Sequence, residues 1–232
     1  VTNMFEAFEN RSDFNENISG WDTSNVWTMS QMFLNASSFN QNIGNWDISK
    51  VRQMAHMFNG AESFNQDIGD WNTSDLNYAP YMFVRARSFN QDVSKWNMSK
   101  VTAFNNFFYQ ADNFNQDLGN WDTSSATNMG NIFNGAISFN QDISDWNISG
   151  VNGMTNMFKN TPALSNANKG KIHTSFSTNQ NWPYPSWSAY VEQNQINPGD
   201  SNETNPDSNE THPLPVDSNA TNPDTNATQP PV

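Results

Sequence analysis

The chain has 232 residues, a formal net charge of −13 and a pI near 4.3, a balance that argues against nucleic acid or an anionic membrane surface as partner. It has no cysteine, which excludes a disulfide framework or a thiolate metal site, and no apolar run approaches the ~20 residues a bilayer-spanning helix needs. Only 14% of residues are charged while Asn, Ser and Thr abound, so polar hydrogen bonds rather than salt bridges must dress the surface.

The stretch Phe39-Asn40-Gln41-Asn42-Ile43-Gly44-Asn45-Trp46-Asp47-Ile48-Ser49 returns every 25 residues. Its Phe recurs at Phe14, Phe39, Phe64, Phe89, Phe114 and Phe139, and its Trp at Trp21, Trp46, Trp71, Trp96, Trp121 and Trp146. A fixed period of this size marks a repeat array. Six copies begin at Val1, Val26, Val51, Leu76, Val101 and Ala126; a seventh begins at Val151, holds to about Phe158 and keeps Leu164 at the Phe position. Because Val1 is already in repeat phase, no targeting segment is expected at this start, and residues upstream are expected to have been removed or to lie outside the sequence.

Each copy reads as two short elements. In the second copy Val26, Met29, Met32, Phe33 and Ala36 are spaced as one face of a helix, after a Ser column (Ser24, Ser49, Ser74) preceded by Asp or Asn at Asp22, Asp47 and Asn72. Such a helix of one or two turns would need its neighbours for stability. The second element, Ser38 to Ile43, reads as an extended strand with Phe39 and Ile43 on one side. Strands returning after a helical crossover pair in parallel, so the expected fold is a right-handed α/β solenoid of 25-residue coils, each a short parallel strand plus a short helical return, advancing ~5 Å per coil. The fourth copy carries Pro80, expected to sit in a first helical turn, and the fifth has Phe104 and Phe107 where Met normally stands, an enlarged core.

The expected organisation is a repeat domain over 1–161, a capping segment over 162–197 and an acidic Pro/Asn/Thr-rich linker or stalk over 198–232. The middle segment, with Phe176, Trp182, Pro183, Tyr184, Pro185 and Trp187, suits a plug over the last coil, whose core and strand edge would otherwise be bare. The last segment has no Lys or Arg and almost no apolar residue, so it cannot bury a core.

The signature Phe-Asn-Gln-Asp-Ile-x-x-Trp-x-x-Ser-x-Val-x-x-Met-x-x-Met-Phe-x-x-Ala, nearly entire from Phe64 to Ala86 and from Phe139 to Phe158, closely resembles the repeat of the BspA-like leucine-rich-repeat surface-protein family. The resemblance covers Val1 to about Leu164. It implies a leucine-rich-repeat-like solenoid on secreted or surface-anchored proteins, associated with adhesion and binding, and it implies no enzymatic activity and no defined ligand.

Each repeated column has a bland and a sharp reading. The Trp column is read as corner wedges with bonded indole N–H groups, against a carbohydrate-stacking strip. The Asn column (Asn15, Asn40, Asn65, Asn90, Asn115, Asn140), with Gln41, Gln66, Gln91, Gln116 and Gln141 beside it, is read as a structural ladder tying coils together, against a ligand ribbon. The Asp stripe (Asp67, Asp92, Asp117, Asp142) stacks like charges without a basic partner in the motif; backbone donors in a turn relieve it on one reading, bridging Ca²⁺ on the other. Sequons recur at Asn10, Asn17, Asn35, Asn72, Asn97 and Asn147, where turn chemistry explains them, and at Asn202, Asn209, Asn219 and Asn226, where their regular spacing suits N-glycosylation if the source has a eukaryotic secretory pathway. His56, His173 and His212 share no motif, and no carboxylate pair has acid/base spacing, so no catalytic residue is assigned.

The functional expectation is a secreted or cell-surface, non-enzymatic repeat protein serving adhesion, binding or structural assembly. No cofactor is expected beyond possible Ca²⁺. Its partners would be a surface protein, a glycan or copies of itself, without nucleic acid and without a membrane span in this chain. The alternatives are a head-to-tail subunit of a surface fibre or sheath, and a polysaccharide-active or carbohydrate-binding protein.

Overall fold

A computed structural model describes residues 1–191, which lie within one compact unit, Val1–Ser201. The 25-residue copies are laid on one another in register. Phe14, Phe39, Phe64, Phe89, Phe114 and Phe139 form one column with successive ring centroids 5.8–6.4 Å apart. Phe8, Phe33, Phe58, Phe83, Phe108, Phe133 and Phe158 form a second, at 5.4–5.8 Å. Within a copy the two columns touch, as at Phe33–Phe39, 3.8 Å apart. The core is thus a double pile of parallel phenyl rings, edged by buried Val26, Met29, Met32 and Ile43 and their counterparts. Offset stacking adds to the area buried, so each ring is held from above, below and beside.

The expected α/β solenoid of strand plus helical return does not form, and neither the leucine-rich-repeat-like class nor its handedness is supported. The expected helix is a chain of turns over residues such as 55–60. Every second N–H leaves the copy: Met54, His56, Phe58 and Gly60 donate to the carbonyls of Tyr78, Pro80, Met82 and Val84 at 2.7–3.0 Å. The N–H groups between them close tight turns, Met57 to Met54, Asn59 to His56 and Ala61 to Phe58. A helix would send all of them to the carbonyl four residues back. Left-handed backbone at His56 (φ 57°) and Gly60 (φ +74°) breaks any helical run, and the same two positions are left-handed in every copy. Glycine tolerates this conformation freely, which explains Gly60 and Gly135 among Asn10, Asn35 and Asn160 at one repeat position.

The expected strand fails for a complementary reason. The N–H of Asn40 donates to the Asn15 side-chain Oδ1 at 2.9 Å, not to a neighbouring carbonyl, and Asn65, Asn90, Asn115 and Asn140 repeat this. A side chain has taken the place of the strand ladder. What pairing there is consists of single parallel bridges, Asn3–Thr28, Thr28–Gln53, Gln53–Tyr78, Ala103–Asn128 and Asn128–Gly153, at the edge where the helix was expected.

Pro80 does not start a helix. It occupies a position whose N–H, as at Ala55, is bonded by a side chain (Ser30 Oγ) and by no carbonyl, so losing that donor removes no backbone-to-backbone bond between copies. Beyond it one bond is longer: Thr102 N–H reaches Asn77 O at 3.5 Å, against 2.8–3.0 Å at the equivalent Arg52, Thr127 and Asn152. In that copy the added phenyl groups of Phe104 and Phe107 pack against Trp121 at 6.0 and 5.7 Å.

At the other end the period stops and a true helix follows, α1 (Asn166–Phe176), capped by Ser165, whose hydroxyl accepts from the Asn168 N–H. It buries Ile172 and Phe176, four residues apart on one face. A short 3₁₀ helix (Pro185–Trp187) then brings Trp187 and Tyr184 onto Phe158, at 5.4 and 6.0 Å. Part of the expected 162–197 cap and all of the 198–232 stalk lie outside the described residues.

Candidate functional site

The repeated polar columns are mostly engaged with the chain itself. In the Asp stripe, Oδ1 of Asp67, Asp92, Asp117 and Asp142 accepts the N–H two residues on, of Gly69, Ser94, Gly119 and Ser144, at 2.8–3.0 Å. Asn42 does the same for Gly44, so the charge is not needed for the turn. Hydrogen bonds from Ser94 hold the Asp92 carboxyl below its usual range; for Asp142, burial pushes the other way, but the bonds from Ser144 and the Lys171 ammonium at 3.0 Å prevail. Among the described residues no group of three or more His, Cys, Asp or Glu is placed to hold a metal ion.

A second turn column behaves alike. Asp22, Asp47 and Asp122 accept from the N–H of Ser24, Ser49 and Ser124, and these serines pull the carboxyls below their usual range. Asn72, Asn97 and Asn147 stand in the same place and accept from both the N–H and the hydroxyl of Ser74, Ser99 and Ser149. The sequon asparagines of the array are therefore turn residues by geometry, while Asn202, Asn209, Asn219 and Asn226 lie outside the described residues.

Each Asn of the ladder takes two donors. Asn90 Oδ1 accepts the Asn115 N–H and the Gln116 Nε2, both at 2.9 Å. The last rung, on Asn140, is supplied by the cap: Ser165 N–H and Asn168 Nδ2 replace the next copy's Asn and Gln. In the Trp column, Trp46, Trp71, Trp96, Trp121 and Trp146 are buried and each indole N–H donates 28 residues back, to a carbonyl such as Ile18 O or Leu118 O. Trp21, in the first copy, is 42% exposed.

The histidines are separate. His56 stacks on Tyr81 at 4.5 Å, His173 Nδ1 meets the Trp182 indole N–H at 3.0 Å, and His212 lies outside the described residues. Between the last copy and the cap is a cleft of about 640 Å³, lined by neutral groups including Asn147, Ser149, Asn152, Thr178 and Gln180.

Two features escaped the sequence reading. One is the cap chemistry: Tyr184 Oη accepts the Phe158 N–H at 2.9 Å, and Asn179 Nδ2 donates to Ile148 O and Val151 O. The other is an outer edge. Each copy dips into the core at two positions, Val26 and Met29 in the second; of the two residues between them Trp27 turns outward while Thr28 is buried. Along that edge Trp27 and Tyr78 are 42% and 40% exposed, with exposed Arg52 on the copy between. The signal was present in the sequence, because Trp27 and Arg52 break a column otherwise filled by Thr2, Asn77, Thr102, Thr127 and Asn152.

Residues 2–111 and 81–185 match the family described as "Mycoplasma protein of unknown function, DUF285". No curated protein and no solved structure matches the chain.

Proposed function

Because the chain belongs to the DUF285 family, whose description leaves its activity open, we propose that it is a non-enzymatic protein of the cell surface or extracellular space that binds a ligand through side chains outside its framework. The observation that carries this reading is the division of labour among the columns. The repeated Phe, Met, Asn, Asp, Ser and Trp are spent on core, ladder and turns, whereas the outward positions vary from copy to copy. A rigid scaffold with variable outward positions is how repeat proteins build extended binding surfaces. The likeness to BspA-like surface proteins supports the same placement. No helix of the described residues is long and apolar enough to cross a membrane.

Protease shaving of intact source cells tests the location: release of peptides from the repeats is expected, and protection until lysis contradicts it. Binding of the full chain to immobilised glycans and matrix proteins tests the role. Saturable retention is the expected result. Turnover of any polysaccharide in that panel would favour an enzyme instead, and a mass that rises with concentration would favour head-to-tail assembly.

A further inference from the structure

We propose that the outer edge carrying Trp27, Arg52 and Tyr78 is a saccharide-binding strip whose two rings stack on alternate sugar units of an extended, neutral glycan chain. This rests on the binding role above and names its ligand class.

Placement comes first. Thr28, Gln53 and Tyr78 are successive partners in the parallel bridges, so the second, third and fourth copies lie side by side here. Arg52 N–H donates to Trp27 O at 2.9 Å, and the N–H groups of Asn77 and Tyr78 donate to Arg52 O at 3.0 and 3.2 Å. The backbones bearing the three side chains are therefore directly hydrogen-bonded. Trp27 is in register with Arg52 and Asn77, and Tyr78 is the residue after Asn77, so two copies and one residue along the chain separate their backbones, about 10 Å at the ~4.8 Å spacing of paired extended segments. That is close to the length of two sugar units in an extended pyranose chain. Rings so placed meet one sugar and the next but one.

Chemistry comes second. Indole and phenol faces suit the apolar C–H face of a pyranose, and both rings are amphipathic enough to stay partly in water. Framework tryptophans such as Trp46 and Trp71 are only 4% exposed, so Trp27 is not doing their task. Arg52 supplies several N–H donors between the rings, and among the described residues it makes no salt bridge. Its field helps to lower the Asp75 carboxyl, chiefly held by Lys100 at 2.9 Å. Thr2, Asn77, Thr102 and Thr127 extend the edge with uncharged hydrogen-bonding groups. A net charge of −13 disfavours a polyanionic chain, which is why the glycan is taken as neutral.

The test is calorimetric titration of the full chain with neutral β-1,4-linked glucose, N-acetylglucosamine, xylose and mannose oligomers of increasing length, and with an oligouronate as the acidic arm. Binding of at least one neutral series is expected, with a step in affinity between two and three units, where both rings first engage. Trp27→Ala and Tyr78→Ala are each expected to weaken it about tenfold or more, and Arg52→Ala less. Melting temperatures should stay near that of the parent, because the three side chains are exposed. Preference for the oligouronate would overturn the neutral class. Saccharide binding untouched by all three substitutions would overturn the strip while leaving the binding role. Binding of proteins but no saccharide would overturn this inference alone, and no binding at all would overturn both.

Discussion

The repeats and the cap cover the same core by different means. A repeat is covered by a copy of itself, so a backbone carbonyl meets each outgoing N–H and an Asn–Gln pair meets each Asn. The cap has no such copy and substitutes side chains one at a time: Tyr184 Oη stands where a carbonyl would, and Asn168 where a Gln would. Its aromatic packing changes too, from parallel rings to edges, as Trp182 meets Phe176 and Trp187 at 88° and 78°. Repetition lets backbone satisfy backbone, whereas an ending needs individually placed side chains. The repeats should therefore tolerate polar substitutions better than the cap, and core substitutions worse.

The largest effect is expected in the ring pile. Phe108 contacts Phe83, Phe114 and Phe133 at 5.6, 3.8 and 5.8 Å, and Phe108→Ala should cost about 3–5 kcal/mol by chemical denaturation. Next is the ladder: Asn90→Ala strands the Asn115 N–H and should cost ~1–3 kcal/mol, while Asn90→Asp, which keeps the acceptor, should cost less.

The two regions should also answer pH from opposite sides. Burial raises the Tyr184 phenol to about 12, above its unfolded value near 10. Its contribution is complete below about pH 10 and is lost as pH climbs from there toward 12, up to ~2–3 kcal/mol. Tyr184→Phe should abolish that alkaline slope. It should also speed hydrogen exchange at the Phe158 amide. The turn carboxylates run the other way. Asp47, Asp92 and Asp122 are held low in the folded chain, so their contribution is present above about pH 4 and falls as pH drops through their folded values. Melting temperature against pH should show both limbs, the acid one surviving in Tyr184→Phe. The smallest effect is expected from Lys95→Ala, whose exposed pair with Asp70 is screened by solvent, so the melting temperature should hardly move.

Much of this was legible. Register, the Phe and Met core and the buried Trp column follow from a 25-residue period carrying large apolar residues at fixed places. The helix was misread because Val26, Met29, Met32, Phe33 and Ala36 fit one helical face and a run of tight turns equally well. The column Asn10, Asn35, Gly60, Arg85, Gln110, Gly135 and Asn160 distinguishes them, since Gly or Asn at five of seven places inside an apolar pattern points to left-handed backbone. The strand reading contained its own contradiction. An Asn side chain that takes the N–H of the next copy leaves that N–H no carbonyl to pair with, so ladder and strand could not both hold. Tyr184 and Asn179 were unreadable because their partners, Phe158 N–H and Ile148 O, depend on how the cap folds back.

Hydrogen bonds between copies, in place of those within a helix, are the centre of this architecture, and through-hydrogen-bond NMR couplings detect them directly. Couplings are expected from the amide nitrogens of Met54, His56, Phe58 and Gly60 to the carbonyl carbons of Tyr78, Pro80, Met82 and Val84. A coupling from Phe58 nitrogen to the Met54 carbonyl, four residues back in its own copy, would contradict it.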